Sequence, residues 1–293
     1  MTPAHRAGVA ALLGPPNAGK STLLNRLLGQ KLAIVTARPQ TTRSRLLGIW
    51  SLPHAQVLLQ DTPGLHPGVK PLNRALNALA GEALEDCDVG LLLAEFGRGW
   101  SEAHERLWKG LRARGAPVVL VGTKSDAGPR REPPWPQALA GEAAAALRVS
   151  AQSGEGLAEL EAAVVALLPE APPFYPPDEI SDRPLRFLAA EWVREAAFEE
   201  LDQELPYELA VEVVEFDESR PGRVRIRAEL LVARASQKRI AVGAGGAMVK
   251  RIGSRARREL ERLLEARVHL ELWVKVEPQW ARQPKRLKTL GYR

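Results

Sequence analysis

The chain has 293 residues, one cysteine and a formal net charge of +6 at pH 7. A single cysteine excludes an internal disulfide framework, and no apolar run reaches the roughly 18 residues that a bilayer-spanning helix needs. Residues 1–6 lack the apolar stretch of a signal peptide. We therefore expect a soluble, cytoplasmic protein that is long enough for two domains.

The basic charge is concentrated towards the C-terminal end. Residues 1–184 carry 19 basic and 18 acidic side chains, residues 185–218 carry 2 and 11, and residues 223–293 carry 19 and 6. A segment of this size with a net charge of +13 favours a polyanionic partner. The alternative is a solvated basic surface without a partner.

Residues 1–170 alternate apolar, strand-like runs with helical patterns. This alternation predicts an α/β domain in which helices flank a mostly parallel sheet. The predicted strands are Ala7–Leu13, Gln56–Leu59, Val89–Ala94, Val118–Val121 and Arg148–Ser150, and the predicted helices are Thr22–Leu28, Leu72–Leu84, Glu102–Arg114 and Leu157–Leu168.

Residues 171–184 are proline-rich, and we interpret them as a linker to a smaller α+β domain at residues 185–293. The two alternating segments of this domain flank the turn signal Pro221-Gly222 and predict a hairpin. The predicted elements are the helices Leu185–Leu205 and Ala247–Ala266, and the strands Glu208–Glu215, Arg223–Val232 and Val268–Val276.

The sequence Gly-Pro-Pro-Asn-Ala-Gly-Lys-Ser at residues 14–21 fits the P-loop pattern and lies between a predicted strand and a predicted helix. Glycines let the backbone curl so that several N–H groups and a helix N-terminus face a phosphate. A glycine-rich turn without a ligand is the alternative. The predicted nucleotide contacts here are Asn17, Ala18, Gly19, Lys20, Ser21 and Thr22.

Two further segments predict a magnesium site beside the P-loop. Asp61-Thr62-Pro63-Gly64 ends a buried strand, and we expect Asp61 to hold Mg²⁺ through a water, while the Ser21 hydroxyl binds the ion. A polar loop at residues 38–43 offers a second hydroxyl, for which we favour Thr42 over Thr41. We expect Lys20, Thr42 and Gly64 to act on the γ-phosphate.

Two short motifs predict a site for a guanine base. A carboxylate at Asp126 can accept hydrogen bonds from guanine N1–H and the 2-amino group, a pair that adenine lacks. The Lys124 stem can pack under the base, and the Ala151 N–H can meet guanine O6. The predicted base-site residues are Thr123, Lys124, Asp126, Ser150 and Ala151.

The chain resembles the translation-factor-related GTPases and, among them, the Era family, over nearly its whole length. In the first half, the resemblance rests on residues 14–21, 38–43, 61–64 and 150–154. In the second half, residues 235–253, 270–276 and 290–292 resemble the type II KH domain of that family. The family usually has Asn in place of Thr123 and Lys in place of Ala244.

The resemblance implies a KH module whose glycine loop clamps single-stranded RNA. It implies RNA contacts by Lys238, Gly243, Ala244, Gly245, Gly246, Lys250 and Arg251. Met248, Val249 and Ile252 form either an apolar wall for bases or part of the core. The basic tail formed by Arg282, Lys285, Arg286, Lys288 and Arg293 either extends the RNA path or touches anionic lipid, whereas we expect the acidic residues 186–218 to face away from RNA.

The resemblance further implies a monomeric, Mg²⁺-dependent hydrolase of GTP. Its implied partner is the 3′ end of 16S rRNA within an assembling 30S subunit, with GTP ordering the loops at residues 36–43 and 61–70. Leu65 replaces the water-orienting Gln of many GTPases, so either the backbone or another group orients the water, or turnover is slow. By the same resemblance, Asn17 either helps to bind a K⁺ ion that stimulates turnover or is only a turn residue that stabilises the loop.

Two other functions remain open from the sequence. One is an RNA-binding scaffold whose nucleotide site is mainly structural. The other is a GTPase held peripherally on the cytoplasmic face of the inner membrane by its basic region.

Overall fold

The computed structural model describes residues 4–36, 38, 41–64, 71–128 and 132–292. Contacts divide the chain into two compact units. The first comprises Met1–Ala33 and Thr42–Asp182, and the second comprises Ile34–Thr41 and Arg183–Arg293. Among the described residues, no helix combines the length and the apolar character needed to cross a bilayer.

The first unit is a six-stranded sheet with strand order β2-β3-β1-β4-β5-β6, in which only β2 runs antiparallel to its neighbour. Its elements in chain order are β1 Arg6–Leu13, α1 Lys20–Leu28, β2 Leu46–Leu52, β3 Ala55–Asp61, α2 Pro71–Glu85, β4 Val89–Glu95, α3 Glu102–Ala113, β5 Val118–Thr123, α4 Gln137–Glu142, β6 Ala145–Arg148 and α5 Leu157–Leu167.

The inner strands are apolar because both faces of the sheet are covered. Every residue of β3 and β5 is buried. Parallel strands end at one edge of their sheet, so the segments after β1, β3 and β5 meet there. These segments are residues 14–19, 62–64 and 124–126, which hold the predicted nucleotide motifs.

Three details of the first unit differ from the sequence predictions. The pattern missed β2, the antiparallel edge strand, and the short helix α4. The strand predicted at Arg148–Ser150 is wrong, because β6 ends at Arg148. The alanines of β6 have weak strand propensity, so it is the pairing with β5, rather than composition, that decides where β6 lies.

The proline-rich segment is fixed to the first unit by side chains. Gln56 is buried, and its Oε1 accepts hydrogen bonds from the backbone N–H groups of Phe174 and Tyr175 at 2.7 and 2.9 Å. Ser181 Oγ donates to the Leu47 carbonyl at 2.7 Å. Residues up to Asp182 therefore belong to the first compact unit.

The second unit is a three-stranded sheet with order β7-β8-β9, in which β7 and β8 are antiparallel and β8 and β9 are parallel. The predicted hairpin is confirmed, whereas the first helix ends at Glu200 rather than at residue 205. The elements are α6 Leu185–Glu200, β7 Ala210–Arg220, β8 Arg223–Val232, α7 Ala235–Val242, α8 Ala247–Leu263, β9 Arg267–Val276 and α9 Pro284–Thr289.

Candidate nucleotide and RNA sites

The P-loop backbone curls because three of its residues adopt positive φ angles. Gly14 has φ 149°, Asn17 has φ 64° and Gly19 has φ 92°. A Cβ atom on Gly14 would lie 2.7 Å from the Leu93 carbonyl oxygen, so only glycine fits there. Helix α1 begins directly afterwards at Lys20. The loop therefore presents backbone N–H groups and a helix N-terminus to one concavity.

Lys20 is buried inside this loop, with 6% of its surface exposed. Its Nζ donates hydrogen bonds to the carbonyl oxygens of Gly14 and Pro15, each at 3.0 Å. Burial lowers the pKa of Lys20 to about 8, and the nearby Asp61 carboxylate only partly opposes this. The ammonium group is thus poorly compensated until an anion binds.

Three predicted magnesium ligands meet beside Lys20. Ser21 Oγ donates to Asp61 Oδ2 at 2.6 Å, while Thr42 Oγ1 lies 3.0 Å from Ser21 Oγ and 3.2 Å from Asp61 Oδ2. These three residues are 19 to 40 positions apart in sequence, so the tertiary structure assembles this cluster.

The cluster suits a hard cation. Asp61 is fully buried, and its Oδ1 has no hydrogen-bond partner among the described residues. Burial raises the pKa of Asp61, against the opposing effects of Lys20 and of the Ser21 and Thr42 hydroxyls. A carboxylate and two hydroxyls are the oxygen ligands that Mg²⁺ accepts, and a cation would compensate the buried charge.

Gly64 lies directly against the P-loop. A Cβ atom on Gly64 would lie 2.7 Å from the backbone nitrogen of Pro16, so a side chain would displace one of the two segments. The adjacent Thr62 hydroxyl donates to the Leu12 carbonyl at 2.9 Å and fixes the start of this turn. Leu65, and parts of the two loops that we expect GTP to order, lie outside the described residues.

The base-site residues are connected to one another and to the P-loop. Ser150 Oγ donates to Asp126 Oδ1 at 2.5 Å and orients that carboxylate. The Thr123 hydroxyl donates to the Ala18 carbonyl at 2.8 Å, so it ties the base loop to the phosphate loop in place of the usual Asn. The backbone of Ala151 follows Ser150 directly.

Sequence reasoning missed two acidic residues that shape the base site. Lys124 has φ 59°, and its Nζ lies 2.9 Å from Glu95 Oε2 at the end of β4. Ser125 Oγ donates to Glu155 Oε2 at 2.7 Å. A carboxylate at the carboxyl end of a buried strand is the signal that could have identified Glu95.

The glycine loop of the second unit joins α7 to α8. Gly243, Gly245 and Gly246 have φ angles of 72°, 56° and 82°. A Cβ atom on Gly243 would lie 2.7 Å from Met248 Cβ, whereas Gly245 and Gly246 face open space. A phosphate can therefore approach the backbone there, at a place where Ala244 is exposed.

The basic residues around this loop are not equivalent. Lys238 and Lys250 are exposed, whereas Arg251 forms an ion pair with Glu200 at 2.9 Å. Ile252 is fully buried and belongs to the core, so it is not part of an apolar wall for bases. Met248 and Val249 are half-buried.

The acidic segment pairs with part of the basic region, and its orientation away from RNA stays a prediction. Glu199 contacts Arg255, and Glu212 contacts Arg286 at 2.6 Å. Arg286 also contacts Glu277 and is only 17% exposed, which removes it from the free basic tail. Part of the positive charge counted in the sequence is therefore neutralised locally.

Comparison with known proteins identifies the family. Residues 9–124 match the family described as 50S ribosome-binding GTPase, and residues 204–281 match the KH domain family. GTPase Era of Stenotrophomonas maltophilia is 46% identical over 98% of this chain and 98% of its own length. The chain belongs to the Era family of GTPases. GTPase Era of Xylella fastidiosa is 45% identical, over 100% of this chain and 99% of its own.

Solved Era structures share this fold. An Era variant from Aquifex aeolicus bound to GDP and AlF₄⁻ is 37% identical, with a TM-score of 0.90 and coverage of 98% of this chain and 99% of the other. Era in complex with MgGDPNP and nucleotides 1506–1542 of 16S ribosomal RNA is 36% identical to this chain, with a TM-score of 0.90 and the same coverage. The predicted fold class and the Era resemblance are confirmed, and the chain is a GTP hydrolase.

Proposed function

We propose that this chain binds GTP with Mg²⁺, hydrolyses it, and uses the nucleotide state to control its binding to the 3′ end of 16S rRNA during 30S subunit assembly. One observation carries the nucleotide part: the oxygens of Ser21, Thr42 and Asp61 converge beside the buried ammonium of Lys20. The RNA part is supported by the exposed glycine loop and by the Era complex with nucleotides 1506–1542 of 16S rRNA.

Each residue of the phosphate site has a role in this proposal. The curled backbone of Asn17, Ala18 and Gly19, with the first turn of α1 at Ser21 and Thr22, cradles the phosphates. Lys20 places its charge on the β- and γ-phosphates, and the Gly64 N–H donates to the γ-phosphate. Bound Mg²⁺, held by Ser21, Thr42 and Asp61, neutralises charge that develops on the phosphate oxygens.

The base site selects guanine through Asp126. A carboxylate has about four lone-pair directions, so Asp126 can accept from guanine N1–H and the 2-amino group while it also accepts from Ser150. Adenine offers neither donor at these places, and it would leave a charged acceptor unpaired.

Coupling to the RNA unit is supported by the segment that precedes Thr42. Ile34–Thr41 is grouped with the second unit, although Thr42 belongs to the first. The Val35 N–H donates to Oε1 of the buried Glu195 at 2.9 Å, and Arg38 pairs with Asp202 at 2.9 Å. A change in the coordination of Thr42 therefore acts on a segment that the RNA unit holds.

The test compares RNA affinity with GDP and with a non-hydrolysable GTP analogue. We expect the two forms to differ in affinity for nucleotides 1506–1542 of 16S rRNA. We also expect Thr42→Ala to remove that difference while leaving affinity for the base moiety intact. Equal affinity of the wild-type protein in both nucleotide forms would contradict the coupling.

The K⁺ proposal rests on Asn17, which adopts φ 64° at the top of the phosphate loop. We propose that its side-chain oxygen helps to hold K⁺ beside the phosphates, where the ion adds positive charge during hydrolysis. Turnover should then be faster in K⁺ than in Na⁺, and Asn17→Ala should abolish the difference. Equal wild-type rates in the two salts would exclude this role.

The remaining expectations concern location and assembly. The basic residues that stay exposed favour RNA, and a cytoplasmic location follows from that partner. Peripheral binding to the inner membrane and a monomeric state stay predictions, which liposome flotation with RNA competition and light scattering would test. Negligible GTP turnover with and without RNA would instead favour a scaffold with a structural nucleotide site.

A further inference from the structure

The second unit contains a charged cavity away from the glycine loop. The β7–β8 turn, the start of β9 and the C-terminal half of α8 enclose a volume of about 830 Å³. We call this cavity the arginine basin. The arginines that line it are Arg220, Arg223, Arg225, Arg257 and Arg267.

Three of these arginines lie in one row across the sheet. Arg220 of β7 is the register partner of Arg223 of β8, which is in turn the partner of Arg267 of β9. Like charges directly opposite each other on neighbouring strands destabilise a sheet. The adjacent row avoids this arrangement, because Asp217 and His269 flank Arg225 there.

Two glutamates of the basin pair with arginines outside this row. Glu271 contacts Arg225 at 3.1 Å, and Glu261 contacts Arg257 at 3.5 Å. Within the described part of the chain, Arg220, Arg223 and Arg267 have no ion pair, and all three are exposed. Asp217, which also lines the basin, attracts Arg220 electrostatically but forms no ion pair with it. The basin therefore keeps three guanidinium groups without an ion pair at one concave place.

Guanidinium groups arranged in this way fit phosphates. Each can donate two parallel hydrogen bonds to a phosphate and keeps its charge at all physiological pH values. An RNA backbone presents such groups at regular intervals, so it can satisfy a row of arginines with successive phosphates. The repulsion within the row is then relieved only in the complex.

The basin is distinct from the glycine loop. Arg257 lies ten residues after Ala247, where α8 begins, so the two places are separated by about 15 Å along the helix. A KH loop clamps about four nucleotides. A longer RNA is therefore needed to reach both places.

A membrane surface fits the basin less well than RNA does. Peripheral binding to lipid combines cations with apolar side chains that enter the bilayer. The exposed large apolar residues of the described chain lie elsewhere. They are Phe174, Leu185, Val214, Ile240 and Trp273, and the basin is not lined by any of them.

We propose that the arginine basin is a second RNA-binding site, which holds backbone phosphates of the same RNA that the glycine loop clamps. This inference rests on the proposed binding of the 3′ end of 16S rRNA. It adds a contact that is independent of sequence, because phosphates position an RNA without reading its bases.

The test uses a triple variant of the full chain, Arg220→Gln, Arg223→Gln and Arg267→Gln. A matched control, Arg106→Gln, Lys109→Gln and Arg262→Gln, removes the same charge from exposed residues that already form ion pairs. Affinities are measured for nucleotides 1506–1542 of 16S rRNA and for a single strand of about six nucleotides from its 3′ end.

We expect the basin variant to bind the long RNA about ten- to a hundredfold more weakly, with the slope of log K against log[salt] reduced by about 2. The short RNA should bind as tightly as it does to the wild-type protein. The control should lose no more than about twofold for either RNA. Thermal melting checks folding, and the single variant Arg223→Gln replaces the triple variant if the latter unfolds.

Three outcomes of the RNA measurements would overturn the basin proposal. They are unchanged binding of the long RNA, equal losses for the long and short RNAs, and a control loss as large as that of the basin variant. A fourth is loss of binding to phosphatidylglycerol vesicles while RNA binding persists, which would assign the basin to lipid. Failure of the wild-type protein to bind either RNA would instead break the proposed function itself.

Discussion

In the first unit the charges proposed to act on the phosphates and on Mg²⁺ are buried, whereas in the second unit the charges proposed to bind RNA lie on the surface. Lys20 is 6% exposed and Asp61 is not exposed at all, while Lys238 and Lys250 are both exposed. Buried charges interact strongly in a low dielectric, and surface charges are screened by water and salt. Nucleotide binding should therefore be sensitive to the loss of a single charged or polar group and to pH. RNA binding should be sensitive to ionic strength.

The groups that surround these charges also differ between the two units. In the nucleotide site, two hydroxyls and one carboxylate contact one another, and Asp61 Oδ1 has no hydrogen-bond partner among the described residues. In the RNA unit, carboxylates such as Glu199, Glu200 and Glu212 already neutralise part of the basic surface. The remaining free cations, rather than the total charge, then determine where RNA binds.

The largest effect should follow from removal of the buried ammonium. We expect Lys20→Ala to lower the GTP turnover rate by about 10²- to 10³-fold, because a preorganised charge is lost where the phosphate charge develops. RNA binding in the GDP form should stay within twofold of the wild type. A single-turnover assay with thermal melting as a folding control measures this, and a rate loss below tenfold would contradict a buried electrostatic site.

The next largest effect should follow from a change at the base site. Asp126→Asn should weaken GTP binding by roughly a hundredfold, because the amide N–H meets the guanine 2-amino donor. The same variant should gain affinity for xanthosine triphosphate, whose 2-oxo group accepts from that amide. Competition titrations of GTP, ATP and xanthosine triphosphate test this prediction, which unaltered nucleotide preference would refute.

The pH dependence of GTP binding sharpens the contrast between burial and exposure. Burial lowers the pKa of Lys20 to about 8 in the free protein, so above pH 8 most molecules carry a neutral amine. Phosphate binding needs the ammonium form and therefore takes up a proton. Affinity should be level below pH 7 and should approach a tenfold loss per pH unit above pH 8.

Fluorescence titrations between pH 7 and 9 measure this trend. Lys20→Arg is the matched control, because a guanidinium stays charged throughout that range and its binding curve should be level. If the wild-type affinity changed as little with pH as that of the arginine variant, desolvation would not control the pKa of this lysine.

The smallest expected effect concerns the tie between the two loops of the nucleotide site. Thr123→Val removes the hydroxyl that donates to the Ala18 carbonyl and leaves this buried acceptor unpaired. The cost should be about 1 kcal/mol in GTP affinity, at the lower end for an unpaired acceptor. Thr123→Ser keeps the hydroxyl and should bind like the wild type, so equal losses in both variants would argue against the hydrogen bond.

Much of the candidate nucleotide site can be proposed from the sequence because its motifs are local. The glycines of residues 14–19 and the adjacent Lys20 are neighbours in sequence, and their backbone angles dictate the turn. The antiparallel strand β2 escaped prediction because its apolar pattern does not reveal an edge position. Glu95 escaped because its partner Lys124 lies on another strand end.

The RNA unit was predictable in its order of elements but less so in its surface. The hairpin and the glycine loop follow from turn residues and from the alternation of apolar and polar residues along the strands. By contrast, the ion pairs of Arg251 and Arg286, and the burial of Ile252, depend on how α6, α8 and the sheet pack. A charge count along the chain cannot separate paired cations from free ones.

By itself the sequence determined the ordered set of nucleotide motifs, the glycine positions and the excess of basic residues after residue 223. Backbone angles and net charge are properties of neighbouring residues, so they can be read along the chain. The tertiary structure decided the depressed pKa of Lys20, the contacts among Ser21, Thr42 and Asp61, and the arginine row across three strands. These depend on burial and strand register, which bring together residues that are far apart in sequence.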